Sequence, residues 1–106
     1  MKFVIIYITH PNLKEAKKVA GALLRDKLIA CVNYFPIESA YWWKGKVKHS
    51  KEIVSLVKTR KENWAKVKKV IEAIHPYETP CIMKLEVESN KSYAGWIRKE
   101  TEKEKT

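Results

Sequence analysis

Four β-rich segments and two capped amphipathic helices, in the order β-α-β-β-α-β, predict an α+β domain of ferredoxin-like arrangement. In that arrangement two helices cover one face of a four-stranded antiparallel sheet. Three observations carry the prediction: a short apolar run at the start, two helical periodicities each opened by a capping pattern, and a long hairpin between them that is interrupted only by Lys44-Gly45-Lys46.

Phe3 to Ile8 is a continuous apolar run, long enough for a strand and too short for a helix, which suits a central strand buried on both faces. Thr9-His10-Pro11 is expected to break it. Asn12, with Glu15 three residues on, then forms a capping pattern that opens a helix reaching to about Lys27. Leu13, Ala16, Val19, Ala20, Leu23 and Leu24 recur at three- and four-residue steps, with lysines on the other side, so one face of this helix packs on a sheet.

Leu28 to Phe35 is β-rich, and Pro36 should force an edge position or a bulge because it has no N–H to give to a ladder. Extended chain resumes at Ala40-Tyr41-Trp42-Trp43. After the turn it returns through Val47 and then Ile53 to Lys58, which makes the second and third strands one long hairpin. Thr59 with Glu62 resembles a second capping box, and Trp64, Val67, Val70, Ile71 and Ile74 follow at helical spacing until Pro76 stops the helix after His75. From Cys81 the pattern alternates strictly. Cys81, Met83, Leu85 and Val87 are expected on the buried side of a half-buried fourth strand, with Ile82, Lys84, Glu86 and Glu88 outward. A polar turn leads to a short helix around Tyr93, Trp96 and Ile97, and the charged tail from Thr101 to Thr106 is expected to fray.

A chain of 106 residues supports one hydrophobic core, so residues 1–106 are read as a single domain. With 45% hydrophobic and 32% charged residues it is globular, not disordered. No apolar run approaches a bilayer span, and Met1 leads directly into a strand with no signal-peptide layout, so no membrane association and a cytoplasmic location are expected. The two cysteines are expected as free thiols. The net charge of +10 invites a nucleic-acid partner. That partner is discounted, because 19 of the 22 basic residues are lysines interleaved with glutamate on helical segments. This is the look of a solvated surface, and Lys/Glu enrichment also accompanies thermostability.

The hairpin outlasts the first strand, so its outer part has no strand of its own chain beside it, and a free two-stranded ribbon is marginal in water. Tyr41, Trp42 and Trp43 stand on that part, adjacent and therefore on both faces, each able to bury roughly 150 to 250 Å². At about 25 cal/mol per Å², leaving them in water forfeits several kcal/mol, a large share of a domain's net stability. A neighbouring subunit is the expected cover; folding back onto the domain's own open sheet face is the alternative.

Cys31, Cys81 and His75 are the soft-ligand candidates, with His10 and His49 further off. No two sit at a metal-finger spacing, so any site has to be assembled from separate elements or different subunits. Small buried cysteine is also ordinary core filling, and a histidine at a helix end serves equally as a cap. Tyr77 and Glu78 lie in a loop held between Pro76 and Pro80, where binding residues gather, though a double-proline turn that only sets the entry of the fourth strand would read the same.

Ala30-Cys31-Val32-Asn33, Tyr41-Trp42-Trp43-Lys44-Gly45-Lys46-Val47, Lys58-Thr59 and above all His75-Pro76-Tyr77-Glu78-Thr79-Pro80 resemble the signature stretches of the divalent-cation tolerance (CutA) family. Thr9, Pro11, Tyr93 and Trp96 also fall where that family has equivalents, so the resemblance covers nearly the whole chain. It implies a ferredoxin-like homotrimer, cytoplasmic in prokaryotes, that binds a divalent metal, copper in particular, and is not an enzyme. His75 with Cys31 or Cys81 would be the metal-binding residues. Where the family commonly has glutamate after this last stretch the chain has Cys81, which would soften the site toward Cu(I) or zinc.

Three rivals share the fold. A PII-like trimeric small-ligand sensor is the alternative function, but the three glycines form no phosphate loop. An RNA-binding domain would stack bases on third-strand aromatics, and Lys51 to Val57 has none. An acylphosphatase-like hydrolase would need an arginine in the first loop, which reads Thr9-His10-Pro11-Asn12.

Overall fold

The computed structural model describes residues 2–102. β1 spans Lys2–His10, α1 Leu13–Arg25, β2 Cys31–Trp43, β3 Lys46–Thr59, α2 Trp64–Ile74, β4 Ile82–Glu88 and α3 Lys91–Glu100. The strands form one antiparallel sheet in the order β2-β3-β1-β4, the ferredoxin-like arrangement expected from the element order.

β1 does not break at Thr9. It runs on to His10, which pairs with Ile53 and is fully buried, because a hydrogen bond between its Nε2 and Ser55 Oγ at 2.8 Å lets the imidazole enter the core. Asn12 caps α1 as expected, its Oδ1 accepting from the Glu15 N–H at 2.9 Å. The helix ends with Lys27 in the left-handed region (φ 55°). The Leu28 N–H bonds to the Leu23 carbonyl and the Lys27 N–H to the Leu24 carbonyl, a Schellman closure with lysine where glycine is usual. That closure delivers Leu28 and Ile29 buried, so β2 opens at Cys31 and not at Leu28.

Pro36 lies on the edge strand and pairs opposite Ile53 with the register unbroken, so the edge alternative holds and no bulge is needed. The hairpin turns through Lys44 (φ 51°) and Gly45 (φ 80°) between the paired Trp43 and Lys46. Two successive positive φ values give the tight turn whose twist matches antiparallel strands. β1 accompanies β3 only from Ile53 to Thr59, which leaves the outer half of the hairpin two-stranded. The molecule is therefore long, 49 × 29 × 21 Å, with a radius of gyration of 14.7 Å; a compact chain of this length has about 13 Å.

Cross-strand partners share a face, so the register sorts the side chains. Val4, Ile6 and Ile8 of β1 and Val57 of β3 point toward α1 and α2. There they join Val19, Leu23, Val67 and Ile71 in a core in which each is at most 1% exposed. Each such burial is worth roughly 1.5 to 3 kcal/mol.

The expected burial on β4 is reversed at Ile82, Met83 and Leu85 but holds at Val87, which packs against the Phe3, Ala94 and Ile97 cluster. Ile82 and Lys84 pair with Ile8 and Ile6 on the helix side, where Ile82 packs on the core and the Lys84 ammonium sits 5.5 Å from the Trp64 ring. Met83 and Leu85 face the other way and are 49% and 52% exposed. The alternation was real, but the apolar half of it lines the sheet face that α1 and α2 leave open. α3 covers one end of that face, packing Ala94 and Ile97 on Phe3, so the helices are not all on one side.

Thr59 and Glu62 do not cap α2. Thr59 is the last residue of β3 and fully buried, and its hydroxyl donates to the Leu28 carbonyl at 2.6 Å. Glu62 instead pairs with Arg98 of α3 at 3.0 Å. A 3-10 turn at Lys61–Asn63 leads into α2. The tail expected to fray begins anchored: Thr101 is buried, donates to the Ile97 carbonyl and accepts from Arg60 Nε, both at 2.9 Å. Residues 103–106 lie outside the described residues.

Candidate functional site

The loop after α2 is held by its own first residue. His75 ends the helix with its N–H still bonded to the Ile71 carbonyl, and an extended ψ of 137° turns the chain out ahead of Pro76. Its ring then ties the loop to the end of β1. Nε2 meets the Thr9 carbonyl at 2.8 Å, which requires the proton on Nε2, and Nδ1 accepts from the Tyr77 N–H at 3.1 Å. Both ring nitrogens are thus engaged in the neutral form.

The His75 ring stacks on His10, centroids 5.2 Å apart. His10 Nδ1 is buried with no hydrogen-bond partner. Burial, and the nearby His75, push the pKa of His10 down from 6.5 to about 4, with Glu52 opposing the shift. A proton on His10 therefore has nowhere favourable to go near neutral pH.

Beyond Pro76 the loop crosses the end of β1 to the open sheet face. Tyr77 Oη donates to Glu52 Oε2 at 2.6 Å. Burial, this hydrogen bond and the Glu52 charge all push the Tyr77 hydroxyl well above its usual range, so it stays protonated and remains the donor. Glu52 is 8% exposed. It sits at the floor of a cleft of about 510 Å³ whose one wall is the hairpin tip, with Tyr41, Trp42, Trp43 and Lys48, and whose other wall is the loop, with Tyr77, Glu78 and Cys81. The size is that of a small-molecule site.

The hairpin aromatics therefore meet their own chain's loop across the cleft. Trp42 remains 74% exposed, while Tyr41 and Trp43 are near 36%. Cys81 immediately precedes β4 and is a partly buried free thiol. Burial and the Glu52 charge raise its pKa, so the thiol form is favoured near neutral pH. Cys31 is also free but lies elsewhere: it aligns through Lys58 with Ile5, whereas Cys81 lies beyond the Ile8–Ile82 pair. By strand spacings the two are roughly 15 Å or more apart. Cys81, Tyr77, Glu78 and the loop-anchoring His75 are brought to one end of the sheet, and Cys31 is not. Among the described residues no three His, Cys, Asp or Glu side chains form a group able to hold a metal.

The sequence reading missed Glu52, which looked like one more surface charge among lysines. The available signal was its place two residues ahead of Val54 on an alternating strand, which puts both on one face. It places His10 at the break of the first strand and at the margin of the ligand candidates, whereas His10 is a buried residue of β1.

A family model described as CutA1 divalent ion tolerance protein matches residues 4–100. The divalent-cation tolerance protein CutA of Archaeoglobus fulgidus is 47% identical over 93 residues, covering 87% of this chain and 91% of that protein. A solved structure of the periplasmic divalent cation tolerance protein CutA from the same organism superposes with a TM-score of 0.91 at 45% identity, over 96% of this chain and 100% of that one. A Pyrococcus horikoshii CutA structure obtained in 3 M guanidine hydrochloride gives 0.90 at 38% identity, covering 93% and 99%. The periplasmic description of the Archaeoglobus fulgidus protein overturns the expectation of a cytoplasmic location. Among the described residues no helix is long and apolar enough to cross a membrane.

Proposed function

The chain belongs to the CutA1 divalent ion tolerance protein family, and we propose that it acts as a homotrimer that binds a transition metal, copper foremost, at the cleft beside Cys81. The observation that carries this reading is a free thiol lining a cleft with two carboxylates, Glu52 and Glu78, on or near its walls. Thiolate suits Cu(I) and zinc. The raised thiol pKa makes binding weak near neutral pH, because the metal has to displace a proton. His75 serves this site by holding the loop, since both its ring nitrogens are already bonded. Cys31 reaches the cleft only from a neighbouring copy.

Assembly is supported by the uncovered apolar sheet face. Phe35, Met83 and Leu85, which share that face by register, are each more than a third exposed. Several large apolar side chains on one uncovered face mark an interaction surface. Copies of the same chain are the cover proposed here, with Trp42, and with it Tyr41 and Trp43 at the cleft rim, meeting the neighbour. The protein acts by binding and not by catalysis: Glu52 is held by Tyr77 and His75 has both nitrogens occupied, so neither is poised as a general base. Thermostability is proposed from the lysine-rich composition and from the Pyrococcus horikoshii relative's structure in 3 M guanidine hydrochloride.

Copper titration of the assembled protein tests the metal reading. Cys81→Ser is expected to weaken binding at least tenfold, and Cys31→Ser to weaken it only if a neighbour's thiol completes the site. Unchanged affinity in the double cysteine variant removes these thiols from the function.

A further inference from the structure

The charges that alternate along α1 do not alternate around it. At 3.6 residues per turn, Lys14, Lys17, Lys18 and Arg25 fall within about 60° of one line, on the side of the helix opposite the buried Ala16, Val19, Ala20 and Leu23. All four cations are exposed. The carboxylates of Glu15 and of Asp26, the cap residue, stand together on one flank of that line. Leu13 and Leu24 stand on the other flank, three turns apart, and are 42% and 43% exposed. Cations and leucines therefore make one continuous strip roughly 16 Å long, with the acids kept to its far side.

The ion pairs of the described residues join Arg60 and Arg98 to Glu62, so no carboxylate holds the strip's four cations, and Glu15 forms no ion pair with Lys18 three residues on. Clustered positive charge without counter-carboxylates calls for an anionic partner. The leucines decide which one. Nucleic acid phosphates would use the cations alone, whereas at a lipid surface lysine heads meet phosphates while adjoining leucine side chains enter the acyl boundary. We propose that this strip of α1 rests on an anionic lipid surface.

The contact lies at the surface and asks no segment to cross a bilayer. It is separate from the cleft beside Cys81. α1 packs on the side of the sheet opposite the open apolar face, so assembly of copies through that face leaves the strip free. α2 does not extend the strip, because its outward positions Ala65, Lys69, Glu72 and Ala73 carry one charge of each sign.

Co-sedimentation of the assembled protein with vesicles tests the contact, using phosphatidylcholine alone and phosphatidylcholine with one-third phosphatidylglycerol. The expected result is binding to the anionic vesicles that weakens as salt rises and is at least about tenfold weaker on the neutral ones. Each cation at an anionic surface is worth roughly fivefold, so Lys17→Gln with Lys18→Gln is expected to weaken binding at least about tenfold. Lys91→Gln with Lys99→Gln removes the same charge from exposed positions on α3 and is expected to change binding less than about twofold. Leu13→Gln with Leu24→Gln leaves the charge alone and is expected to weaken binding at least about threefold. Should that pair fail to fold, the two matched lysine pairs still decide. No binding to the anionic vesicles, or an equal loss in the α3 variant, overturns the proposal. So does a short DNA duplex bound as tightly as the vesicles and undiminished in the leucine variant, which would make the partner a nucleic acid.

Discussion

Tyr77 Oη and Glu52 Oε2 lie 2.6 Å apart, a hydrogen bond between residues 25 positions apart in sequence that fastens the loop after α2 to the hairpin. It is a bond from a neutral donor to a charged acceptor, the stronger kind, and it closes the floor of the cleft. Tyr77→Phe removes the donor and leaves a nearly buried carboxylate less well satisfied. The expected cost is about 1.5 to 3 kcal/mol, read by chemical denaturation at fixed protein concentration. A loss below a few tenths of a kcal/mol would mean that water replaces the hydroxyl at no cost.

The buried His10 makes stability depend on pH. Its folded pKa lies below its unfolded value, so the unfolded chain binds a proton that the folded chain refuses. Stability is therefore full above about pH 6.5 and falls as the pH drops toward 4, by on the order of 2 to 3 kcal/mol. The facing groups are Ser55, His75 and Glu52, of which only Glu52 favours the proton. Denaturation midpoints at pH 7.5 and 4.5 measure the drop, and His10→Asn is expected to flatten it while lowering stability at pH 7.5.

Gly45 has φ +80° and open space where a Cβ would stand. Any cost of Gly45→Ala is thus conformational and not steric crowding by neighbours. About 1 kcal/mol is expected from thermal or chemical unfolding, with the fold unchanged. Lys44 already tolerates φ 51° one residue earlier, so a second strained residue would load the same turn.

Copper affinity is expected to rise with pH. The Cys81 thiol is held above its ordinary pKa by burial and by Glu52, and each unit of pH below that pKa costs about a tenfold of thiolate. Titrations at pH 6.5 and 8.5 are expected to differ by one to two orders of magnitude. A flat profile would take Cys81 out of the metal site.

Most of the fold could be read from the chain because periodicity and local signals agreed with it. Asn12 with Glu15, the turn at Lys44-Gly45 and the helix stop at His75-Pro76 each act through their own backbone, so neighbours in sequence suffice to recognise them. The misreadings share a different cause. Thr59 with Glu62 has the spacing of a capping box, but Thr59 is claimed by the Leu28 carbonyl, 31 positions away. Met83 and Leu85 alternate as a buried strand should, yet which face a helix covers is decided by the register of β4 on β1. The cleft was half legible: the loop at Tyr77 and Glu78 was singled out, whereas its floor, Glu52, depends on the hairpin meeting the loop in space.

The uncovered face of the sheet is what the assembly of copies rests on, and sedimentation equilibrium tests it most directly. The expected particle has three chains, about 37 kDa against 12.4 kDa for one, and falls apart when Leu85→Lys places a charge on that face. A particle of 12.4 kDa that still unfolds cooperatively would contradict it.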